Sequence, residues 1–178
     1  MGNFIIRGDD INVSGYNVQV DRILADTSTG VATMDTNGNI TITAQNNAQM
    51  DDNLTAGTSL GLSASDITIT ATEGMATQTT GDMTAGRDVT ISGGAGVDLN
   101  GKIGNIINIG RDVLITSSIG SVDIDELIDA NRHVTVNAAN NIDVNAVVTA
   151  DAELVPNNIG DVTMTADSDS SSAGDLES

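Results

Sequence analysis

The sequence predicts an all-β chain wound as a right-handed parallel β-helix, with about seven coils of three short strands each. Three observations carry that expectation. The phrase Gly86-Arg87-Asp88-Val89-Thr90-Ile91 returns as Gly110-Arg111-Asp112-Val113-Leu114-Ile115. Around the two copies stand short alternating segments closed by Gly, Asn and Asp, such as Val97-Asp98-Leu99 before Asn100-Gly101, with no helical period. Aromatic residues make up only 1% of the chain, Phe4 and Tyr16, so aliphatic side chains must fill the interior, which suits a narrow core of stacked rows. A strand this short builds no core alone. Stacked on its equivalent in the next coil, it gains a hydrogen-bonded neighbour and buries its inward residue at once. An antiparallel β-sandwich also uses many short strands, but here the turn phrase recurs in register and Asn-Gly hairpin signals are few.

The candidate strands follow in order. Ile11-Asn12-Val13, Val18-Gln19-Val20 and Arg22-Ile23-Leu24 open the chain, and Val31 to Met34 is a weaker segment. Ile40-Thr41-Ile42-Thr43 and Ile67-Thr68-Ile69-Thr70 have a clear period of two, with Leu60-Gly61-Leu62 between them. Leu54-Thr55-Ala56-Gly57 aligns with Met83-Thr84-Ala85-Gly86. Val122-Asp123-Ile124, Ile128-Asp129-Ala130, Val134-Thr135-Val136, Ile142-Asp143-Val144, Val147 to Ala150 and Val162 to Thr165 complete the series.

These sort into three columns. The first holds Leu60, Val89, Val113 and Val134; the second Ile40, Ile67, Val97, Val122, Ile142 and Val162; the third Leu54, Met83, Ile107, Ile128 and Val148. Residues 45–53 and 73–82 then read as inserted surface loops, and the turns call for Gly and Asn in left-handed conformations, with Asn ladders from coil to coil. Coils at about 4.8 Å make a rod roughly 34 Å long. Residues 1–30 read as an N-terminal coil or edge and 31–166 as the repeats. Residues 167–178, small, polar and acidic, read as a disordered tail or linker.

Composition narrows the partners. With 25 acidic and 6 basic residues the formal charge is −19, a field that repels nucleic acid and anionic membranes and favours divalent cations. No stretch approaches the roughly 18 apolar residues of a membrane span, so no membrane insertion is expected. Cysteine is absent, which excludes disulfide and thiol chemistry. Met1 is not followed by a basic and then an apolar stretch. The chain is therefore expected to be either an internal protein or a piece of a longer exported one.

Leu54-Thr55-Ala56-Gly57, Thr84-Ala85-Gly86-Arg87-Asp88-Val89 and Gly38-Asn39-Ile40-Thr41-Ile42 resemble the haemagglutinin-type repeats of filamentous haemagglutinin-like adhesins. The resemblance covers most of residues 31–166. It implies a right-handed β-helical shaft exported by two-partner secretion, placed at the cell surface, with a host-surface or glycan ligand elsewhere in the molecule. The family's Asn-Pro-Asn export motif is not present (Val155-Pro156-Asn157-Asn158 is not one), so the resemblance implies shaft rather than head. Bactofilin-like cytoskeletal proteins are a second resemblance, which implies end-to-end self-association into a cytoplasmic filament.

Several constellations invite chemistry. Asp98, Asp123 and Asp143, with Asp125 beside them, fall at one outward position of successive coils, where like charges destabilise a sheet unless they splay into water or hold a Ca²⁺ ion between them. Calcium is the one cofactor this pattern raises. Arg87, Arg111 and Arg132 share a turn position, either as a cationic edge for an acidic glycan or as a ladder with Asp88 and Asp112; the surrounding charge favours the ladder. Arg7-Gly8-Asp9 matches an integrin-type tripeptide, a three-residue motif that is common by chance. Gly93 to Asp98 matches one calcium-binding nonapeptide, but Leu99 falls one place early and no tandem copy follows. The pairs Thr41/Thr43, Thr68/Thr70 and Thr163/Thr165 resemble the Thr-x-Thr arrays of ice-binding β-helices, yet in the second column three acidic coils interrupt them. No catalysis is expected: His133 shares its turn position with Asp88 and Asp112, and no acid pair or basic residue beside calcium carboxylates is evident.

Overall fold

A computed structural model of the chain describes residues 5–25, 38–57, 65–105, 112–150, 160–167 and 176–177. Its elements are strands throughout. The first coil contributes β1 (Ile5–Gly8), β2 (Ile11–Gly15) and β3 (Val18–Val20). The second contributes β4 (Arg22–Ala25), β5 (Ile40–Ala44) and β6 (Ala48–Met50), and the third β7 (Leu54–Ala56), β8 (Ile67–Ala71) and β9 (Met75–Gln78). The fourth holds β10 (Met83–Ala85), β11 (Val89–Gly93) and β12 (Gly96–Leu99), and the fifth β13 (Ile103–Asn105), β14 (Asp112–Ser117) and β15 (Val122–Ile124). The sixth holds β16 (Ile128–Ala130), β17 (His133–Ala138) and β18 (Ile142–Val144), and the last β19 (Val148–Ala150), β20 (Asp161–Thr165) and β21 (Leu176–Glu177).

Every third strand pairs in parallel, giving three seven-stranded sheets. Sheet A runs from β1 to β19, sheet B from β2 to β20 and sheet C from β3 to β21. The chain is a three-sided β-solenoid. Alternation places one residue in two inside, and the inward Ile, Val, Leu, Met and Ala of all three sheets merge into one buried core. In sheet B, Ile11, Ile40, Ile67, Val89, Val113, Val134 and Val162 stack in unbroken register.

That register corrects the expected columns. Ile40, Ile67 and Val162 belong with Val89, Val113 and Val134, not with Val97, Val122 and Ile142, which lie in sheet C. An Ile-Thr-Ile-Thr segment alternates identically in any sheet, so alternation could not assign it. The third column holds in Leu54, Met83, Ile128 and Val148, but its central member is Ile103. Ile107, Leu60 and the segment from Val31 to Met34 lie outside the described residues. The expected loops at 45–53 and 73–82 are instead the β6 and β9 regions, with Ala48, Met50, Ala76 and Gln78 fully buried. Apart from Met50, their inward residues are small or polar and give little apolar signal. Gln78 turns its amide into the interior, where Nε2 donates to the Gly81 carbonyl at 2.6 Å.

The turns differ from expectation as well. Among the described residues only Gly57, Gly81 and Asp167 have positive φ, so left-handed turns are few. Turn glycines serve mainly for close approach: a Cβ on Gly74 would lie 2.2 Å from Asn47 Oδ1 in the coil before. Within the segment expected as a tail, Leu176–Glu177 pairs with β18 through Ile142 and Asp143. The edge of β18 offers N–H and C=O groups with which a further strand can pair.

Candidate functional site

Among the described residues the polar chemistry is arranged as ladders along the faces and corners of the solenoid. On sheet C the register sets Asp98, Asp123 and Asp143 side by side on neighbouring strands. Asn100 Nδ2 donates to Asp98 Oδ1 at 2.6 Å, and Asn145 Nδ2 to Oδ1 of the exposed Asp125 at 2.9 Å. Asp123 in the middle has a buried Oδ1 with no hydrogen-bond partner. Partial burial first, then repulsion from Asp125, Asp143 and Asp98, pushes its carboxyl above the usual range. Among the described residues no three acidic or imidazole groups are placed to hold one metal ion.

A substitution tests that ladder. Asp123→Asn should stabilise the protein at pH 7 by about 0.2–1 kcal/mol, the usual range for a facing pair on a sheet. Because the folded-state pKa is raised, the penalty is present above that pKa and fades as the pH falls through it. The melting-temperature gap between variant and wild type should therefore close on acidification. Melting should be the same in excess calcium and in chelator. Calcium stabilising the wild type but not the variant would show an ion between the carboxylates.

At the corner between sheets A and B runs a ladder of turn carboxylates and amides. Side-chain oxygens of Asp10, Asn39, Asp66 and Asp88 accept from the backbone N–H of Asn39, Asp66, Asp88 and Asp112, each one coil on, at 2.9–3.2 Å. His133 continues the line, in register with Asp112 and Asp161, its Nδ1 accepting from the Asp161 N–H at 3.3 Å. The arginines clamp this ladder. Arg87 Nε donates to Asp66 Oδ1 at 2.8 Å, its Nη2 pairs with the same carboxylate, and Nε also lies 3.3 Å from Asp88 Oδ2. Arg132 grips Asp112 in the same two-pronged way, with Nε at 2.8 Å from Oδ1. Arg111 lies outside the described residues.

Each clamp thus reaches back one coil, and the column includes Asp66, which the sequence analysis left out. The signal was available, since Asp66 precedes Ile67 as Asp88 precedes Val89. Hydrogen bonds and charge from Arg132 hold the Asp112 carboxyl below the usual range, whereas burial, as the largest influence, pushes Asp88 up. With both guanidiniums committed to carboxylates, this corner ties coils together; such half-exposed pairs contribute about 0–1 kcal/mol each. A second ladder, at the corner between sheets B and C, uses asparagine. Asn17 Oδ1 accepts from Asn46 Nδ2 at 3.0 Å and from the Asn47 N–H at 3.2 Å, and Asn47 Oδ1 accepts from the Met75 N–H at 2.9 Å.

The outward face of sheet B differs from both. One column reads Asn12, Thr41, Thr68, Thr90, Leu114, Thr135, Thr163; the other reads Ser14, Thr43, Thr70, Ser92, Thr116, Asn137, Thr165. No charged residue occurs in either. On this face, where the first column meets the charged ladder, a groove of about 370 Å³ is lined by Asp88, Thr90, Asp112, Leu114, His133 and Thr135. In the integrin-type tripeptide, Arg7 and Gly8 belong to β1 at the edge of sheet A and Asp9 is exposed in the turn after it.

The fold defines the class of the molecule, a parallel three-sheet β-solenoid. No protein family, curated protein or solved structure matches the chain.

Proposed function

We propose that the chain is a non-catalytic spacer, a shaft segment of a secreted bacterial surface adhesin. The observation that carries this reading is the unbroken parallel register of three sheets around one aliphatic core. Hydrogen bonds directed along the axis and an aliphatic core give a stiff element whose length grows by one coil at a time. The ionic and amide ladders support the same role, because they join coil to coil instead of pointing at a shared ligand. Placement on an adhesin at the cell surface is supported by the likeness of the turn phrases to haemagglutinin-type repeats. The net charge of −19 would keep neighbouring shafts apart.

A second reading, self-association end to end as a filament subunit, has an observation of its own. Ile6 and Val13 in the first coil, and Val144, Val148, Ala150 and Met164 at the other end, pack on the core yet stay only partly buried. Apolar rows and strand edges left open invite another coil. Sedimentation velocity over a wide concentration range separates the two readings. A monomeric rod at every concentration supports the spacer; lengthening rods as concentration rises would replace it with the filament.

A further inference from the structure

We infer that the outward face of sheet B binds the oxygen lattice of ice. The expected second column sets three acidic coils between the Thr pairs, which argues against this. The structure removes that objection: Asp98, Asp123 and Asp143 lie on sheet C, and Thr90/Ser92, Leu114/Thr116 and Thr135/Asn137 stand in their coils on sheet B. Nine of the fourteen positions in these two columns are threonine.

The geometry of such a face is set by the backbone. Successive strands place equivalent side chains about 4.8 Å apart, and positions i and i+2 about 6.7 Å apart, a rectangular net close to the row spacings of hexagonal ice. Threonine is stiff at χ1, so each hydroxyl and methyl holds its place without further ordering cost. None of the threonine hydroxyls on this face hydrogen-bonds to another described group, whereas Thr79, elsewhere, donates to Asp51 at 2.5 Å. They remain available to water. Neither column holds an ionic side chain; the charged ladder of Asp88, Asp112, His133 and Asp161 stands along one margin of the same face, two positions before the first column.

Other occupants fit less well. The two columns measure about 34 Å by about 13 Å, some 400–450 Å², less than the roughly 800 Å² per partner of a stable protein interface. A crystalline polysaccharide is normally gripped by aromatic rings, and the two columns contain none.

The test uses the whole chain and two variants, Thr90→Tyr at the centre of the face and Thr84→Tyr on sheet A as a control, each checked for wild-type circular dichroism and melting. Freezing hysteresis and the shape of single ice crystals are measured in a nanolitre osmometer. Wild type and Thr84→Tyr should facet ice and hold a freezing gap, and Thr90→Tyr should lose both. Thr68→Lys, one strand away, should repeat the loss if the tyrosine variant unfolds. No faceting by wild type overturns the inference, as does full activity in a folded Thr90→Tyr. Binding to powdered cellulose or chitin without any effect on ice would also overturn it and transfer the face to a polysaccharide.

Discussion

Replacing Gly120 with alanine should destabilise the protein by about 3 kcal/mol or more, enough to lower its melting temperature by about 6–12 °C. Gly120 sits in the turn between β14 and β15, directly over the turn of the preceding coil. A Cβ added there would lie 1.7 Å from the carbonyl oxygen of Ala95 and 2.6 Å from its carbonyl carbon. Both are backbone atoms and cannot swing aside like the end of a long side chain. The turn is also fastened on its other sides: the Gly120 N–H donates to Ser117 Oγ at 3.1 Å, and its carbonyl accepts from Asn140 N–H at 3.1 Å. Relief therefore requires two coils to separate, which breaks pairing in the adjoining sheets. Gly104 is the control. It lies in β13 with nothing within 4 Å of a built Cβ, so Gly104→Ala should be neutral or stabilising by up to about 1 kcal/mol. Urea denaturation of both variants decides the matter, and equal midpoints would show that coil contact does not depend on that glycine.

Ile91→Ala should cost about 2–5 kcal/mol, the usual range for emptying a fully buried aliphatic site. Ile91 is 0% exposed and stands in the central strand of sheet B, between Ile69 and Ile115. Its methyl groups lie within a row of equivalent side chains, so collapse of the cavity would pull two coils at once. The same truncation at the end of the neighbouring row should be mild. Val162 in β20 is 44% exposed, and Val162→Ala should cost under about 1 kcal/mol. Thermal melts of the pair measure the contrast. Similar losses at both positions would mean that the central coils are no better packed than the outer one.

How much of this was legible beforehand depended on what each residue type can signal. Leu54, Met83, Ile128 and Val148 could be aligned because each opens a short apolar-polar-apolar phrase. The acidic ladder was legible too, since Val97-Asp98-Leu99, Val122-Asp123-Ile124 and Ile142-Asp143-Val144 differ only in their aliphatic members. Sheet C was lost at Ala48 and Ala76, because alanine inside a narrow core leaves almost no hydropathy trace. That loss misplaced Ile40 and Ile67 and split the threonine face. Partner choice at the arginine corner was hidden for another reason. Spacing puts Arg87 near both Asp66 and Asp88, and only the direction of a long side chain decides that Asp66 receives the two-pronged grip.

One property of the winding has an engineering meaning. The connections from sheet A to sheet B span residues 26–39, 57–66, 106–111 and 151–160 in four coils, yet only 9–10, 86–88 and 131–132 in the others. Strand pairing on either side keeps the same register whichever length is used. That corner is a permissive port: foreign peptides could be grafted there in several tiers, forming a column of displayed cargo while the walls behind keep their pitch.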